Sequence, residues 1–163
     1  MLALGSVACA TLTENPIAGC SMAGTPNPRR CDQKRLEGSV GASIFDFDGT
    51  LTATPGDRAE RKYKMAELSE RAQLLMPWLH RLREAGIMLC IMSKSTESTI
   101  RAALEAAGLD GLFNGPILGK AVGLEGKAGF IEELCLRGAL AHLGPEAMRR
   151  VLLIDDDVHE LAR

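Results

Sequence analysis

The chain has 163 residues, the length of a single domain, and 46% of them are hydrophobic against 25% charged. This composition favours one packed core and argues against wholesale disorder. With 19 Lys and Arg against 21 Asp and Glu, the formal net charge is −2. We therefore expect no nucleic-acid partner, because no global positive field is present to hold a polyanion. No uncharged apolar run approaches the roughly 18 residues of a membrane span, so we also expect no membrane partner.

Residues 1–42 differ in composition from the rest of the chain. They are rich in Ala, Gly, Ser, Thr and Pro, contain no aromatic residue, and show neither a helical period nor a clean alternation. We interpret them as a flexible leader, with organelle targeting as the alternative. The five cysteines of the chain are odd in number and form no C-x-x-C pair, which indicates neither a disulfide framework nor a zinc site. We therefore expect a cytoplasmic protein.

Residues 43–163 alternate short apolar runs with segments of helix-forming residues. Strands are predicted at 43–47, 87–92, 112–118 and 151–154, and helices at 57–85, 96–107 and 128–143. Pro77 should end or kink the first helix near Met76, because proline lacks the amide donor. Trp78 and the Leu-rich stripe around it predict core packing.

The alternation of strands and helices predicts an α/β domain over 43–163. Its expected architecture is a three-layer, Rossmann-like parallel sheet with helices on both faces. A helix and a final edge strand would normally follow the fourth strand, so we expect that the domain is truncated at its C-terminus. In sheets of this kind ligands bind at the carboxyl ends of the strands.

Polar side chains follow three of the predicted strands. Asp46 and Asp48 come after the first strand, Ser93 after the second, and the acids Asp155 to Asp157 after the fourth. Clustered carboxylates must be neutralised, and Mg²⁺ prefers oxygen ligands. The ammonium of Lys127 and the hydroxyl of Ser93 would counter the charge of a phosphoryl group beside this ion. The sequence therefore predicts phosphoryl transfer, in which one carboxylate attacks phosphorus and its neighbour handles protons.

The segment IFDFDGTLT at 44–52 resembles the first motif, D-x-D-G-T, of the haloacid dehalogenase (HAD) superfamily. The later motif residues follow in the order of that family, and the resemblance covers 43–161. It implies a HAD-like fold and a magnesium-dependent phosphatase, a phosphoric monoester hydrolase that forms an aspartyl-phosphate. Asp48 argues against dehalogenation, since the true dehalogenases of the family lack that second acid.

The resemblance also implies a role for each motif residue. Asp46 is the implied nucleophile, and Asp48 is the implied general acid and base, whose backbone carbonyl also binds Mg²⁺. Lys127 holds Asp46 and the phosphoryl group together, with Lys120 as the alternative for this lysine. The implied phosphate-binding residues are Ser93, Lys127, Gly49 and Thr50, and the implied metal ligands are Asp46, Asp48, Asp155 and Asp156.

The segments between the motifs are filled by predicted core elements, so no cap domain fits between them. In the family that the sequence resembles, an open site accompanies macromolecular phosphoesters, or small substrates when an oligomer partner closes the site. We therefore expect a phosphorylated small molecule or a phosphoprotein as substrate, and a homo-oligomer is one way to close the site. The alternative function is a catalytically inactive scaffold or interaction module of the same fold. A phospho-receiver domain combines similar groups, but in a different order along the chain.

Overall fold

The computed structural model describes residues 40–55, 60–121 and 126–162, so the predicted leader lies outside the described residues except at 40–42. The strands are β1 (Ala42–Phe45), β2 (Met88–Met92), β3 (Ile117–Leu118) and β4 (Val151–Ile154). The helices are α1 (Arg61–Glu84), α2 (Glu97–Ala107), α3 (Gly126–Leu136) and α4 (Val158–Leu161). None of the helices in these ranges combines the length and the apolarity that a bilayer crossing requires.

The four strands form one sheet in the order β3-β2-β1-β4, and every neighbouring pair is parallel. The central strand β1 has β2 on one side and β4 on the other, with Ile44 opposite both Cys90 and Leu153. The predicted parallel sheet is confirmed. Because β1, β2 and β4 are adjacent, the polar residues that follow them meet at one edge.

Alternate residues of the strands supply two separate cores, because successive side chains of a strand point to opposite faces. Phe45, Leu89 and Ile91 pack on the face that α1 and α2 cover. Ile44 and Cys90 pack on the other face, against α3. The sheet is therefore the middle of three layers, as the alternation of elements predicted. Full burial of each large aliphatic side chain contributes roughly 1.5–3 kcal/mol to the stability of the layers.

Helix α1 continues through Pro77 as one helix, so it does not end near Met76. Leu68 and Ala72 before the proline and Leu79 after it are all buried in the same core. Most helical stability in proteins comes from the packing of one face, and here both halves of the helix pack on one sheet. This packing outweighs the hydrogen bond that the proline removes.

The apolar stripe around Trp78 packs in the core only in part, with Leu75 and Leu82 against the same core as Leu79. Leu79 is buried, but the Trp78 side chain is 65% exposed and Leu74 is 73% exposed. Trp78 precedes the buried Leu79 by one residue, which rotates it by about 100° around the helix and away from the sheet. The guanidinium of Arg81 lies 5.1 Å from the centre of the Trp78 ring.

Two further elements are shorter than predicted. The third strand is reduced to two residues, because Pro116 directly before it has no amide to donate to a ladder. The last long helix ends at Leu136 rather than at 143. Gly138 follows with a φ of 78°, a left-handed conformation that stops the helix, and short helical turns lead from there to β4.

Candidate functional site

Strand β1 ends in a tight turn, Phe47–Leu51, that projects two acidic side chains from the sheet edge. The amide of Thr52 donates to the carbonyl of Phe47 at 2.9 Å and closes the turn. Gly49 has a φ of 86°, and a Cβ at this position would collide with the carboxylate of Asp156. The turn therefore requires glycine for its backbone conformation and for the close approach of Asp156.

Side chains of helix α1 form hydrogen bonds with the turn and with the residues that follow it. Glu67 accepts hydrogen bonds from the amide and the hydroxyl of Thr54, at 3.1 and 2.5 Å. Arg71 donates to the backbone carbonyls of Thr52 and Thr50, at 3.2 and 3.3 Å. These contacts fix the backbone that follows β1, because each joins the turn to a rigid helix packed on the sheet.

A cleft of about 260 Å³ opens at the carboxyl end of the sheet. The predicted site residues that line it are Asp46, Asp48, Ser93, Lys127, Asp155 and Asp156. Two predicted phosphate-binding residues, Gly49 and Thr50, are not among the lining residues. The Thr50 hydroxyl instead donates to Oδ1 of Asp156 at 3.4 Å. The sheet therefore brings together residues that are far apart in the sequence.

The first of two charged groups at the cleft is the Lys127 cluster, which consists of Lys127, Asp46, Asp155 and Asp156. Lys127 lies in the first turn of α3 with 2% of its side chain exposed. Its Nζ donates to Oδ1 of Asp46 and, at 2.5 Å, to Oδ2 of Asp155. The backbone amide of Lys127 donates to Glu160 at 2.9 Å, which anchors the start of α3 to α4.

The two lysines that the sequence left as alternatives lie in different surroundings. Lys127 is buried against Asp46, whereas the side chain of Lys120 is exposed and lies outside the cleft lining. The contact that Lys120 makes to the site region is through its backbone amide, which donates to the Ser95 carbonyl at 2.8 Å. Of the two, Lys127 is the one placed to act on Asp46.

The acidic members of the Lys127 cluster could hold a metal ion. Carboxylate oxygens of Asp46, Asp155 and Asp156 lie within 4.8 Å of one another. The side chain of Asp48, also predicted as a ligand through its backbone carbonyl, is not part of this group. An all-oxygen set on a partly open surface fits a hard divalent cation such as Mg²⁺. One ammonium faces three carboxylates here, so the cluster retains negative charge that a cation would offset.

The pKa of Asp46 is raised within this cluster. Burial raises the pKa of Asp46 to about 6, although the charge and the hydrogen bond of Lys127 lower it. The nearby carboxylate of Asp155 raises the pKa further. Asp46 is therefore ionised at neutral pH, the protonation state that attack on phosphorus requires.

The second charged group is the Lys64 cluster, which consists of Lys64, Asp48, Ser95 and Ser93. Lys64 extends from α1 with 3% exposure, and its Nζ donates to Oδ1 of Asp48 at 2.6 Å and to the Ser95 hydroxyl at 2.7 Å. The Ser95 hydroxyl donates to Oδ2 of Asp48 at 2.6 Å. The Ser93 hydroxyl donates to the same oxygen at 3.3 Å. Three donors thus hold Asp48, the predicted general acid and base.

Sequence reasoning missed Lys64 and the contact of Ser95 with Asp48. Thr96 caps α2, and the preceding Ser95 binds Asp48 instead. Lys64 lies near Arg61 and Lys62 and looks like part of a solvated helix face. A signal was present in the spacing, because Lys64 precedes the buried Leu68 by four residues and so lies on the same face of α1.

The rim of the cleft carries a weaker set of charges. Lys94 lies 3.5 Å from Glu160 and 3.7 Å from Asp157, with about half of its side chain exposed. Asp157 accepts a hydrogen bond from the amide of His159 and caps α4. That hydrogen bond lowers the pKa of Asp157 below its ordinary value. Asp157 therefore has a structural role at the rim, distinct from the metal-site geometry of Asp156.

Comparisons with known proteins give no family assignment. No protein-family model matches the chain, and neither a curated protein nor a solved structure matches it. The resemblance to the haloacid dehalogenase superfamily therefore stays a prediction that depends on the order of the motif residues. The chemistry has to be argued from the geometry of the cleft itself.

Proposed function

We propose that this protein is a magnesium-dependent phosphatase that hydrolyses phosphoric monoesters through an aspartyl-phosphate on Asp46. The observation that carries the proposal is the position of Asp46 at the cleft. Its carboxylate is held by the buried ammonium of Lys127 and lies within 4.8 Å of Asp155 and Asp156 oxygens. A buried nucleophile, a fixed positive charge and further acids in one place are what phosphoryl transfer uses.

In the first step of the proposed reaction, Asp46 attacks phosphorus. Lys127 donates a hydrogen bond to Oδ1 of Asp46 and so holds this carboxylate at the cleft. A bond forms between an Asp46 oxygen and phosphorus while the bond from phosphorus to the leaving oxygen breaks. The Lys127 ammonium lies where it also counters negative charge on the phosphoryl oxygens.

Asp46, Asp155 and Asp156 are the residues that would hold Mg²⁺. When bound, the ion supplies positive charge that offsets these carboxylates and polarises the phosphoryl group. Lys127 cannot supply all of this positive charge, because its single ammonium already pairs with Asp46 and Asp155.

Asp48 is the proposed proton carrier. It lines the same cleft as Asp46 and comes two residues later in the turn. In the first step a protonated Asp48 gives its proton to the leaving oxygen. In the second step water attacks phosphorus, the bond to Asp46 breaks, and Asp48 takes the proton of the water. Phosphate then leaves and Asp46 is regenerated.

The substrate class we propose is a phosphorylated small molecule or a phosphoprotein in the cytoplasm. The described residues between β1 and β4 form α1, β2, α2, β3 and α3 with their connecting turns, and none of them forms an added domain over the cleft. A cleft that these described residues leave uncovered admits a phosphorylated side chain on a protein surface. A small substrate would be enclosed if a second copy of the chain covered the opening.

The test compares Mg²⁺-dependent release of phosphate from p-nitrophenyl phosphate by the wild type and by Asp46→Asn. The expected loss is at least about 10³-fold, because the nucleophile is removed while the shape of the side chain is kept. Asp110→Asn is the matched control, since Asp110 is an exposed acid on the short turn after α2. Activity that persists in Asp46→Asn contradicts the proposal.

A catalytically inactive scaffold is the second candidate, and one observation favours it. Both oxygens of Asp48 already accept hydrogen bonds, from Lys64 on one side and from Ser95 and Ser93 on the other. A scaffold predicts that the folded wild type releases no phosphate and forms no covalent phosphoenzyme. The phosphatase predicts both, so one assay separates the two candidates.

A further inference from the structure

We propose that Lys64 is a positioning residue that holds Asp48 for the second step, in which water hydrolyses the aspartyl-phosphate. This inference rests on the proposed phosphatase function and assigns a role within it to a residue outside the motifs. Lys64 does not line the cleft, so it acts on the reaction through Asp48 and not by touching substrate.

The contacts of Lys64 define one orientation of Asp48. Lys64 binds Oδ1 at 2.6 Å, Ser95 binds Oδ2 at 2.6 Å, and Lys64 and Ser95 are themselves joined at 2.7 Å. The three groups close a ring of hydrogen bonds, so neither carboxylate oxygen can rotate without breaking a charge-assisted contact. The ring joins α1 to the turns after β1 and β2.

The burial of Lys64 distinguishes it from Lys62 on the same helix. The side chains of Lys64 and Asp48 are 4% and 5% exposed. The side chain of Lys62, two residues earlier on the same helix, is 67% exposed. Burying an ammonium is costly, and an apolar side chain of similar size would pack against the sheet without that cost. Unlike an apolar side chain, the lysine provides a fixed hydrogen-bond donor for Asp48.

The second step depends most on this orientation. Water must lose a proton as its oxygen bonds to phosphorus and the bond between Asp46 and phosphorus breaks, and Asp48 is the acceptor of that proton. The first step with p-nitrophenyl phosphate does not need a proton donor, because nitrophenolate leaves as an anion. Loss of Lys64 should therefore slow hydrolysis of the phosphoenzyme and spare its formation.

The experiment is a rapid-mixing assay of Lys64→Met with p-nitrophenyl phosphate and Mg²⁺. We expect a burst of nitrophenolate close to one per enzyme, formed at the wild-type rate. Steady-state release should then fall by about 10- to 100-fold, a part of the usual contribution of a general base. Acid-quenched samples should contain a stoichiometric phosphoenzyme.

Lys62→Met is the matched control. The substitution is identical and lies on the same helix, but the Lys62 side chain is exposed and its ammonium pairs with Glu60 at 3.0 Å and with the face of the Tyr63 ring. We expect wild-type burst and steady-state rates from this variant. An equal slowing in both variants would point to a general charge effect and would overturn the inference.

Ser95→Ala provides a second variant if Lys64→Met does not fold. It keeps the ion pair between Lys64 and Asp48 and removes one donor from Oδ2. We expect the same pattern at smaller size, with an unchanged burst and a several-fold slower steady state. Rescue of hydrolysis by Ser95→Thr, which restores the hydroxyl, should follow if the hydroxyl orients Asp48.

The outcomes separate the inference from the proposed function. A wild-type burst followed by wild-type turnover in Lys64→Met and Ser95→Ala overturns the role of Lys64 alone. Parallel loss of burst and turnover in these variants overturns it too, because that pattern reports a structural effect. A folded wild type without burst or turnover contradicts the phosphatase proposal, and the positioning role falls with it.

Discussion

Two buried lysines hold the two acids of the β1 turn in opposite electrostatic arrangements. Lys127 contacts Asp46 and Asp155, with a third carboxylate close by, so negative charge is in excess. Lys64 contacts the single carboxylate of Asp48, and serine hydroxyls complete its hydrogen bonds. The first arrangement is suited to receive a cation, whereas the second is balanced without one.

The difference assigns separate tasks to neighbouring acids. A carboxylate in an excess of negative charge is destabilised until a cation binds, which would couple the state of Asp46 to a bound cation. A buried one-to-one pair with its hydrogen bonds complete resists rotation. The same turn thus presents one acid in a site with excess negative charge and another in a fixed orientation.

The largest expected effect follows from removing the ammonium group of Lys127. Lys127→Met leaves three carboxylates without an ammonium, so the free energy of unfolding in metal-free buffer should fall by about 3–5 kcal/mol. Urea denaturation measures the change, and added Mg²⁺ should recover part of it. Lys120→Met, at the exposed alternative lysine, should stay within about 0.5 kcal/mol of the wild type. Equal effects of the two substitutions would contradict the placement of Lys127.

A pH effect of about 3 kcal/mol should follow from Asp46. Its pKa is about 6 in the folded protein against an ordinary value of 3.8, so the folded state keeps the proton over this interval while the unfolded state loses it. Stability without metal should therefore fall as pH rises from about 4 to about 6, relative to Asp46→Asn, which cannot ionise. Denaturation in EDTA at several pH values measures this difference. A difference that is flat with pH would contradict the burial of Asp46.

The smallest of the three effects concerns the metal. Mg²⁺ at about 100 times its dissociation constant should raise the free energy of unfolding of the wild type by about 2.7 kcal/mol. Asp156→Ala should lose this increment, because it removes one of the three clustered carboxylates. Asp157→Ala should keep it, since Asp157 caps α4 and pairs with Lys94. Identical increments in the two variants would mean that the ion binds elsewhere.

The sheet and the position of the cleft could be predicted because their causes are local. Short apolar runs bounded by polar residues specify buried parallel strands, and the acids that follow them must meet where neighbouring strands end. The ends of α2 could also be predicted from the sequence, since Thr96 caps its start and Gly108 ends it in a left-handed conformation. These features need no knowledge of distant contacts.

The features that escaped prediction depend on tertiary contacts. Pro77 remains inside α1 because the helix packs on the sheet on both sides of it. Lys64 is buried because it pairs with Asp48 at the edge of the sheet. The sequence around Lys64 does not indicate this partner. Gly138, in contrast, ends α3 early through a local feature, its left-handed backbone conformation.

The most direct test of Asp46 as nucleophile is treatment with beryllium fluoride and Mg²⁺, followed by native mass spectrometry and a melting curve. The adduct mimics an aspartyl-phosphate, so the phosphatase proposal predicts one beryllofluoride group per chain and a raised melting temperature. Both should require Mg²⁺, disappear in Asp46→Asn and persist in Asp110→Asn. A folded wild type that takes up no beryllofluoride, or an adduct that survives in Asp46→Asn, would contradict the central claim.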